Sequence, residues 1–152
     1  MTDAAALDAI ARHFDAMPPV AGMAIRIAGY DGDALRLHAP LARHVNDKGC
    51  AFGGSLASLM TLAAWGLVTL RLEHAGLDAD VFVADSQVRY LKPLFADLEA
   101  EARLAEGDGW APFLATLRER GRARAVLATT VRMPDGGVAA DARARYVAIA
   151  RR

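Results

Sequence analysis

A long stretch without charged residues limits the folds that this chain can adopt. Residues 49–70 contain no Asp, Glu, Lys or Arg, and the apolar pattern predicts a helix over about residues 53–73. Apolar side chains lie on nearly every side of that helix, so the rest of the chain has to surround it. Its densest apolar run, residues 59–70, is shorter than the roughly 20 residues that a membrane span needs, and we therefore predict no membrane span.

Composition limits the class of protein further. The chain has 152 residues, 54% of them hydrophobic, so we expect a single domain over residues 1–152 with a substantial core. The 18 Lys and Arg residues balance the 18 Asp and Glu residues, which argues against a nucleic-acid partner. One cysteine and four histidines without ligand spacing give no sign of a metal site. Without a signal-peptide pattern, we expect a cytoplasmic and, from its arginine and alanine bias, bacterial protein.

Alternating apolar residues predict six strands around the central helix. A first helix over about residues 3–16 is capped by Thr2 or Asp3 and ends before Pro18-Pro19. A hairpin turn at Asp31-Gly32 joins the first two strands. The strands are expected at 23–28, 35–38, 81–91, 98–104, 122–133 and 138–149, with a short helix before the fifth. This order predicts an α+β architecture, the hotdog fold, in which an antiparallel sheet curls around the long helix.

The segment 44–56 holds the strongest candidates for chemistry, because it leads from a polar loop into the central helix. Free backbone N–H groups and the positive end of the helix dipole are expected there, and both suit a developing oxyanion. Gly53 and Gly54 lack side chains, so a substrate carbonyl can approach the backbone closely. The Asn46 carboxamide can donate to the same oxygen. The alternative is structural, with Asn46-Asp47 as a turn and the glycine pair merely allowing tight packing.

These residues resemble the signature of hotdog thioesterases, in which an Asn, a Gly and a Gly-Gly pair precede the central helix. The likeness continues through Phe52-Gly53-Gly54-Ser55-Leu56, Trp65-Gly66 and the run ADSQVRYLKP at residues 84–93. This combination resembles a thioesterase subfamily that occurs alone or behind an acetyltransferase domain. Some members of that subfamily are malonyl-ACP decarboxylases, which help to start fatty-acid synthesis. The resemblance, from about residue 20 onward, implies a homodimer or dimer of dimers acting on acyl thioesters of CoA or acyl carrier protein without a cofactor.

Two positions depart from the wider thioesterase pattern. Phe52 stands where many hotdog thioesterases have His, and Thr61 stands where they carry the Asp or Glu that acts as nucleophile or general base. The resemblance thus assigns catalytic positions to Asn46, Gly53, Gly54 and Thr61 while removing the usual hydrolytic carboxylate. Decarboxylation of a malonyl thioester needs no carboxylate. It needs a correctly held C–C bond, donors for the enolate oxygen, and apolar walls such as Phe52.

The strand at 81–91 carries the remaining candidates. Asp85, Gln87 and Arg89 alternate along it and therefore share one face. In hotdog dimers this strand lies at the subunit interface near the active site, so the resemblance implies that these residues, with Ser86 and Phe52, contact the substrate. The alternative is a solvated or interfacial polar face.

Three functions stay open from the sequence: thioester hydrolysis, malonyl-ACP decarboxylation, and non-catalytic binding of an acyl chain or acyl carrier. Thr61 keeps the third possible, because threonine without a neighbouring base is neither a good nucleophile nor a good base. Asn46 followed by Gly53-Gly54 argues against it, since a binding module has no need of donors aimed at a carbonyl oxygen.

Overall fold

Six antiparallel strands curl around one long helix in a computed structural model that describes residues 1–152. The elements are α1 (Asp3–Ala16), α2 (Pro18–Ala21), β1 (Arg26–Tyr30), β2 (Ala34–Ala39), α3 (Gly53–Ala75), β3 (Ala79–Tyr90), β4 (Leu98–Leu104), α4 (Trp110–Arg120), β5 (Arg122–Arg132) and β6 (Val138–Ala150). The strands lie in the order β1-β2-β4-β5-β6-β3. The predicted α+β hotdog architecture is confirmed.

The central helix α3 has 23 residues, or about 35 Å, and 11 of them are buried, all between Leu56 and Leu72. It ends at Gly76, whose positive φ of 67° allows the N–H of Leu77 to reach back to the Leu72 carbonyl at 3.0 Å. By length and composition α3 is able to cross a membrane, but 67% of its most apolar window is buried inside the protein. The apolar surface of α3 is therefore explained by its place in the protein core, enclosed by the sheet.

Helix α1 covers the side of α3 that the sheet leaves open. Thr2 accepts a hydrogen bond from the Ala5 N–H at 3.1 Å, as the predicted cap requires, and Ile10 and Phe14 are buried. Gly66 makes this close packing possible, because a Cβ there would lie 2.9 Å from Leu35 Cδ2 on the neighbouring strand. α1 and β2 thus converge on one point of α3.

The first strand begins later than predicted. Residues 23–28 alternate like a strand, but β1 covers Arg26–Tyr30. Ala24 has a positive φ of 54°, which interrupts the extended backbone, and the Met23 carbonyl accepts a hydrogen bond from His44 instead of a neighbouring strand. The predicted turn at Asp31-Gly32 is confirmed. There the N–H groups of Asp33 and Ala34 donate to the Asp31 carboxylate and hold its pKa below the usual value.

Strand β3 is an edge strand, because it pairs with β6 on one side only. A bulge between Val83 and Asp85 shifts its register against β6. Beyond the bulge, Ser86 and Tyr90 lie on the face toward α3, opposite Ala144 and Ala140, while Asp85 lies on the outer face opposite Arg145. The free edge leaves large apolar side chains in solvent: Phe82 is 53% exposed and Tyr90 56%.

Candidate active site

Three backbone donors without acceptors lie at the start of α3. The Phe52 N–H donates to the His44 carbonyl at 2.7 Å, and the Leu56 N–H donates to the Phe52 carbonyl at 3.0 Å. The N–H groups between them, those of Gly53, Gly54 and Ser55, have no acceptor in the protein. No side chain caps this end of the helix. The helix dipole adds roughly half a positive charge here, so the site is suited to an anion or a developing oxyanion.

Asn46 shapes the loop in front of these donors. Its Oδ1 accepts from the backbone N–H of Lys48 at 2.8 Å and of Cys50 at 3.2 Å, and its Nδ2 donates to Cys50 Sγ at 3.3 Å. Its own N–H donates to the Cys50 carbonyl at 2.8 Å, and Gly49 supplies the required positive φ of 84°. The structural interpretation of Asn46 therefore has direct support. The carboxamide carries two N–H groups, and the second one has no protein acceptor.

A short ribbon joins the Asn46 loop to the helix. The His44–Phe52 hydrogen bond closes its base, and a bridge between Val45 and Ala51 follows it. Asn46 lies two residues beyond the closed base, or roughly 7 Å along an extended chain. The loop and the free amides of α3 therefore belong to the same small region.

His44 fastens this ribbon to the helix through its side chain, which is 5% exposed. Its Nε2 lies 2.8 Å from the Met23 carbonyl oxygen, and its Nδ1 lies 2.8 Å from Ser55 Oγ. A carbonyl can only accept, so Nε2 carries the proton and donates. Nδ1 then accepts from the Ser55 hydroxyl. The imidazole is thus held in one tautomer, with its basic nitrogen toward the first turn of α3.

Two aromatic rings flank the free amides. Phe52, which precedes the helix, is 56% exposed. Tyr90, at the end of β3, donates from its hydroxyl to the Gly53 carbonyl at 3.3 Å. Its ring also packs beside Gly53, where a Cβ would lie 3.4 Å from Cε1. An apolar surface therefore borders the donors on both sides.

Thr61 lies two turns further along α3, and its hydroxyl donates to the Ala57 carbonyl at 2.9 Å. This is a local bond within the helix, and no carboxylate accepts from or donates to the side chain. The Thr61 carbonyl accepts from Tyr146 Oη at 3.1 Å. Burial raises the pKa of Tyr146 to about 12, so its hydroxyl stays protonated at neutral pH. Neither side chain is set up as a base.

The polar residues of β3 form ion pairs on the outer face of the sheet. Asp85 makes a bidentate pair with Arg145, which holds the pKa of the Asp85 carboxyl below its usual value. Arg89 donates to both oxygens of Asp141, at 2.9 and 2.6 Å, and this raises the pKa of Arg89. Both pairs are exposed to solvent, where ion pairs contribute little to stability.

The candidates named from the sequence thus divide into groups. Phe52, Gly53 and Gly54 lie at the start of α3, and the short ribbon joins them to the Asn46 loop. Thr61 lies further along the same helix, and Ser86 faces that helix from β3. By contrast, Asp85, Gln87 and Arg89 point away from α3, on the other side of the sheet.

Sequence reasoning missed Tyr90 and the His44–Ser55 pair. The sequence did hold a usable signal for Tyr90: because side chains alternate along a strand, Tyr90 shares one face with Ser86, which was already a candidate. The bond between His44 and Ser55 spans 11 residues and had no signal in the sequence.

None of the five principal cavities is lined by Asn46 or by the residues that begin α3. The largest, of about 430 Å³, lies between α1 and β1, and another of about 370 Å³ lies on the outer face beside Asp85, Gln87 and Arg143. No group of three or more His, Cys, Asp or Glu side chains is placed to hold a metal ion.

Comparison with known families gives a match over almost the whole chain. The model of the family described as "Putative thioesterase (yiiD_Cterm)" matches residues 8–150. The match includes α3, the ribbon before it and the entire sheet.

Solved structures share the same fold. A protein of unknown function from Chlorobaculum tepidum TLS superposes with a TM-score of 0.92 at 26% identity, covering 99% of this chain and 98% of the other. A "putative thioesterase" from Shewanella oneidensis gives 0.84 at 27% identity, covering 96% and 99%. A thioesterase from Haemophilus influenzae gives 0.72 at 18% identity, covering 91% and 87%, and this likeness bears on the fold alone.

Proposed function

The chain belongs to the family described as "Putative thioesterase (yiiD_Cterm)", and on that premise we propose that it hydrolyses acyl thioesters whose carbonyl oxygen binds at the N-terminus of α3. The acyl group is carried by CoA or by acyl carrier protein. No cofactor takes part in the proposed reaction. The enzyme works as a homodimer or as a dimer of dimers.

One observation carries the proposal: the three unpaired N–H groups of Gly53, Gly54 and Ser55. Negative charge develops on the carbonyl oxygen when a thioester is attacked, and fixed donors aimed at that oxygen lower the barrier. The second N–H of Asn46 adds a side-chain donor from the neighbouring loop. The helix dipole favours the same charge.

The surroundings of these donors suit a thioester. Phe52 and Tyr90 offer exposed aromatic surface on both sides of the amides, and apolar surface of this kind suits an acyl chain. Ser86, on the inner face of β3, is our candidate for a further substrate contact. Asp85, Gln87 and Arg89 belong to the outer face, where they are candidates for contacts with the carrier.

A second candidate reaction is decarboxylation of malonyl-ACP. The observation that favours it is Thr61, which stands in place of the usual carboxylate and whose hydroxyl is bound to the Ala57 carbonyl. Loss of CO2 requires donors for the enolate oxygen but neither a carboxylate nor an activated water. The same amides and Asn46 serve this reaction equally well. A third candidate, a non-catalytic acyl-binding module, predicts no product of either kind.

The test is to mix the protein with malonyl-ACP and a panel of short acyl-CoA substrates, and to follow free thiol and CO2 separately. Release of thiol is the expected result. Release of CO2 from malonyl-ACP without thiol would replace hydrolysis by decarboxylation. Binding of the substrates without either product would leave the binding module as the function.

Replacing Thr61 by alanine is expected to change turnover far less than replacing Asn46. The Thr61 hydroxyl is satisfied within its own helix, and alanine is at least as good a helix former, so stability should stay within about 0.5 kcal/mol. Steady-state kcat/KM and thermal unfolding of the Thr61→Ala protein check this. A loss as large as that of Asn46→Ala would assign Thr61 to the positioning of a hydrolytic water.

We also expect β3 to pair with its two-fold mate in a homodimer. An unpaired edge strand of 12 residues with Phe82 and Tyr90 in solvent is a liability that pairing removes. Sedimentation at micromolar concentration should give a dimer or tetramer, and Phe82→Glu should shift it toward monomer. Ala28→Glu, on the opposite edge strand, is the matched control and should not. A stable wild-type monomer would contradict the proposal.

A further inference from the structure

The pair formed by His44 and Ser55 has the geometry of a nucleophile and its base. Ser55 Oγ lies 2.8 Å from His44 Nδ1, within the range of about 2.6–3.2 Å that proton transfer requires. The hydroxyl donates, because the other ring nitrogen already donates to the Met23 carbonyl. The proton of Ser55 therefore already points at a basic nitrogen.

The third member of the arrangement is a backbone carbonyl. The bond from Nε2 to Met23, at 2.8 Å, fixes the ring orientation and the tautomer. In serine hydrolases a buried carboxylate performs that positioning role for the histidine. A neutral carbonyl performs it here without adding charge, and His44 is only 5% exposed, so the ring is held in place by the protein around it.

Ser55 also stands beside the donors that the proposed function uses. It is the third residue of α3, directly after Gly53 and Gly54, and it is only partly buried. A carbonyl oxygen held by the free amides brings its carbon close to the same turn. The rings of Tyr90 and Phe52 pack beside Gly53 and Gly54 and line that approach.

We propose that Ser55 is the nucleophile of this enzyme and that His44 is its general base. This inference rests on the proposed thioester hydrolysis and supplies the chemistry that Thr61 lacks. Oγ attacks the thioester carbon and its proton passes to Nδ1. The C–S bond then breaks, and the leaving sulfur takes that proton from Nδ1 and departs as free thiol.

Water completes the cycle. It adds to the acyl group on Ser55 while giving one proton to Nδ1, and a C–O bond forms. The bond between the acyl carbon and Oγ breaks, Oγ takes the proton back from Nδ1, and the carboxylic acid leaves. No other reactant is needed.

The test compares Ser55→Ala with Ser58→Ala, since Ser58 is an exposed serine on the same helix with no hydrogen-bond partner. Thiol release from acyl-CoA should fall at least about 10³-fold in Ser55→Ala and stay normal in Ser58→Ala. Thermal unfolding of both proteins is measured alongside. Ser55→Cys is a second variant that keeps a nucleophile next to His44.

In the Ser55→Cys protein the acyl group should pass from the substrate sulfur to position 55, and peptide mapping separates this adduct from any on Cys50. Normal thiol release by a folded Ser55→Ala protein would overturn the assignment of Ser55 as nucleophile while leaving the proposed thioester hydrolysis intact. If folded Ser55→Cys protein carries no acyl adduct at position 55, that assignment is overturned as well. Absence of thiol release by the wild type, with every acyl thioester, would instead overturn the proposed hydrolysis and the nucleophile together.

Discussion

Asn46→Ala is expected to lower turnover by about 10²- to 10³-fold, the loss found when one oxyanion donor is removed from an enzyme. The same change removes the bonds from Asn46 to Lys48 and Cys50 that hold the loop. Each such bond contributes on the order of 1 kcal/mol, so the melting temperature should fall as well. Turnover is therefore measured per folded molecule, with thermal unfolding on the same sample.

Asn46→Asp separates the two roles of this residue. A carboxylate keeps the acceptor for the N–H groups of Lys48 and Cys50, so the loop should hold. It loses the N–H donor and places a negative charge near the developing oxyanion, so turnover should fall at least as far as in Asn46→Ala. If Asn46 only shapes the loop, Asn46→Asp will keep nearly normal turnover. Full activity in a stable variant would end the oxyanion hypothesis.

Leu67→Ala is expected to cost about 2–5 kcal/mol of the free energy of unfolding. Leu67 lies in the middle of α3 with none of its surface exposed, and the sheet and α1 enclose the helix around it. Removing the side chain leaves a cavity that a strand-wrapped helix cannot easily collapse to fill. Urea unfolding at one fixed protein concentration checks this, because dimerisation makes apparent stability depend on concentration.

Leu62→Ala is the matched control for this core prediction. Leu62 is on the same helix but only partly buried, so less apolar area is lost and the cost should be clearly smaller. Equal losses for the two variants would mean that the helix is not enclosed as the structure describes. Both variants keep the helix propensity of α3, since alanine is the best helix former.

The fold was open to prediction from the sequence because its strongest signals are local. A helix without charged residues as far as residue 70 and with apolar residues on nearly every side must be enclosed. Asp31-Gly32 and Gly76 mark turns by the positive φ that glycine tolerates. The start of β1 was predicted wrongly for the same reason, because that prediction used only a local pattern. Period-two alternation at residues 23–28 does not reveal the positive φ of Ala24 or the hydrogen bond from His44 to the neighbouring Met23 carbonyl.

The candidate site was predicted only in part. Asn46, Gly53 and Gly54 follow one another closely along the chain, so a motif was enough to group them. The face on which a strand residue lies depends on register, and the bulge between Val83 and Asp85 sets the register of β3 against β6. Sequence alternation put Asp85 and Arg89 on one face, but it held no information about which face looks toward α3.

The sequence by itself determined that α3 is a buried helix inside an antiparallel sheet and that a glycine pair begins it. Periodicity and backbone chemistry decide such features within a few residues. Only the tertiary structure decided that His44 accepts from Ser55 and that Tyr90 packs beside Gly53. The partners in the first contact are 11 positions apart in the sequence, and those in the second are 37 positions apart. The geometry of both contacts exists only once the ribbon and β3 have packed against the helix.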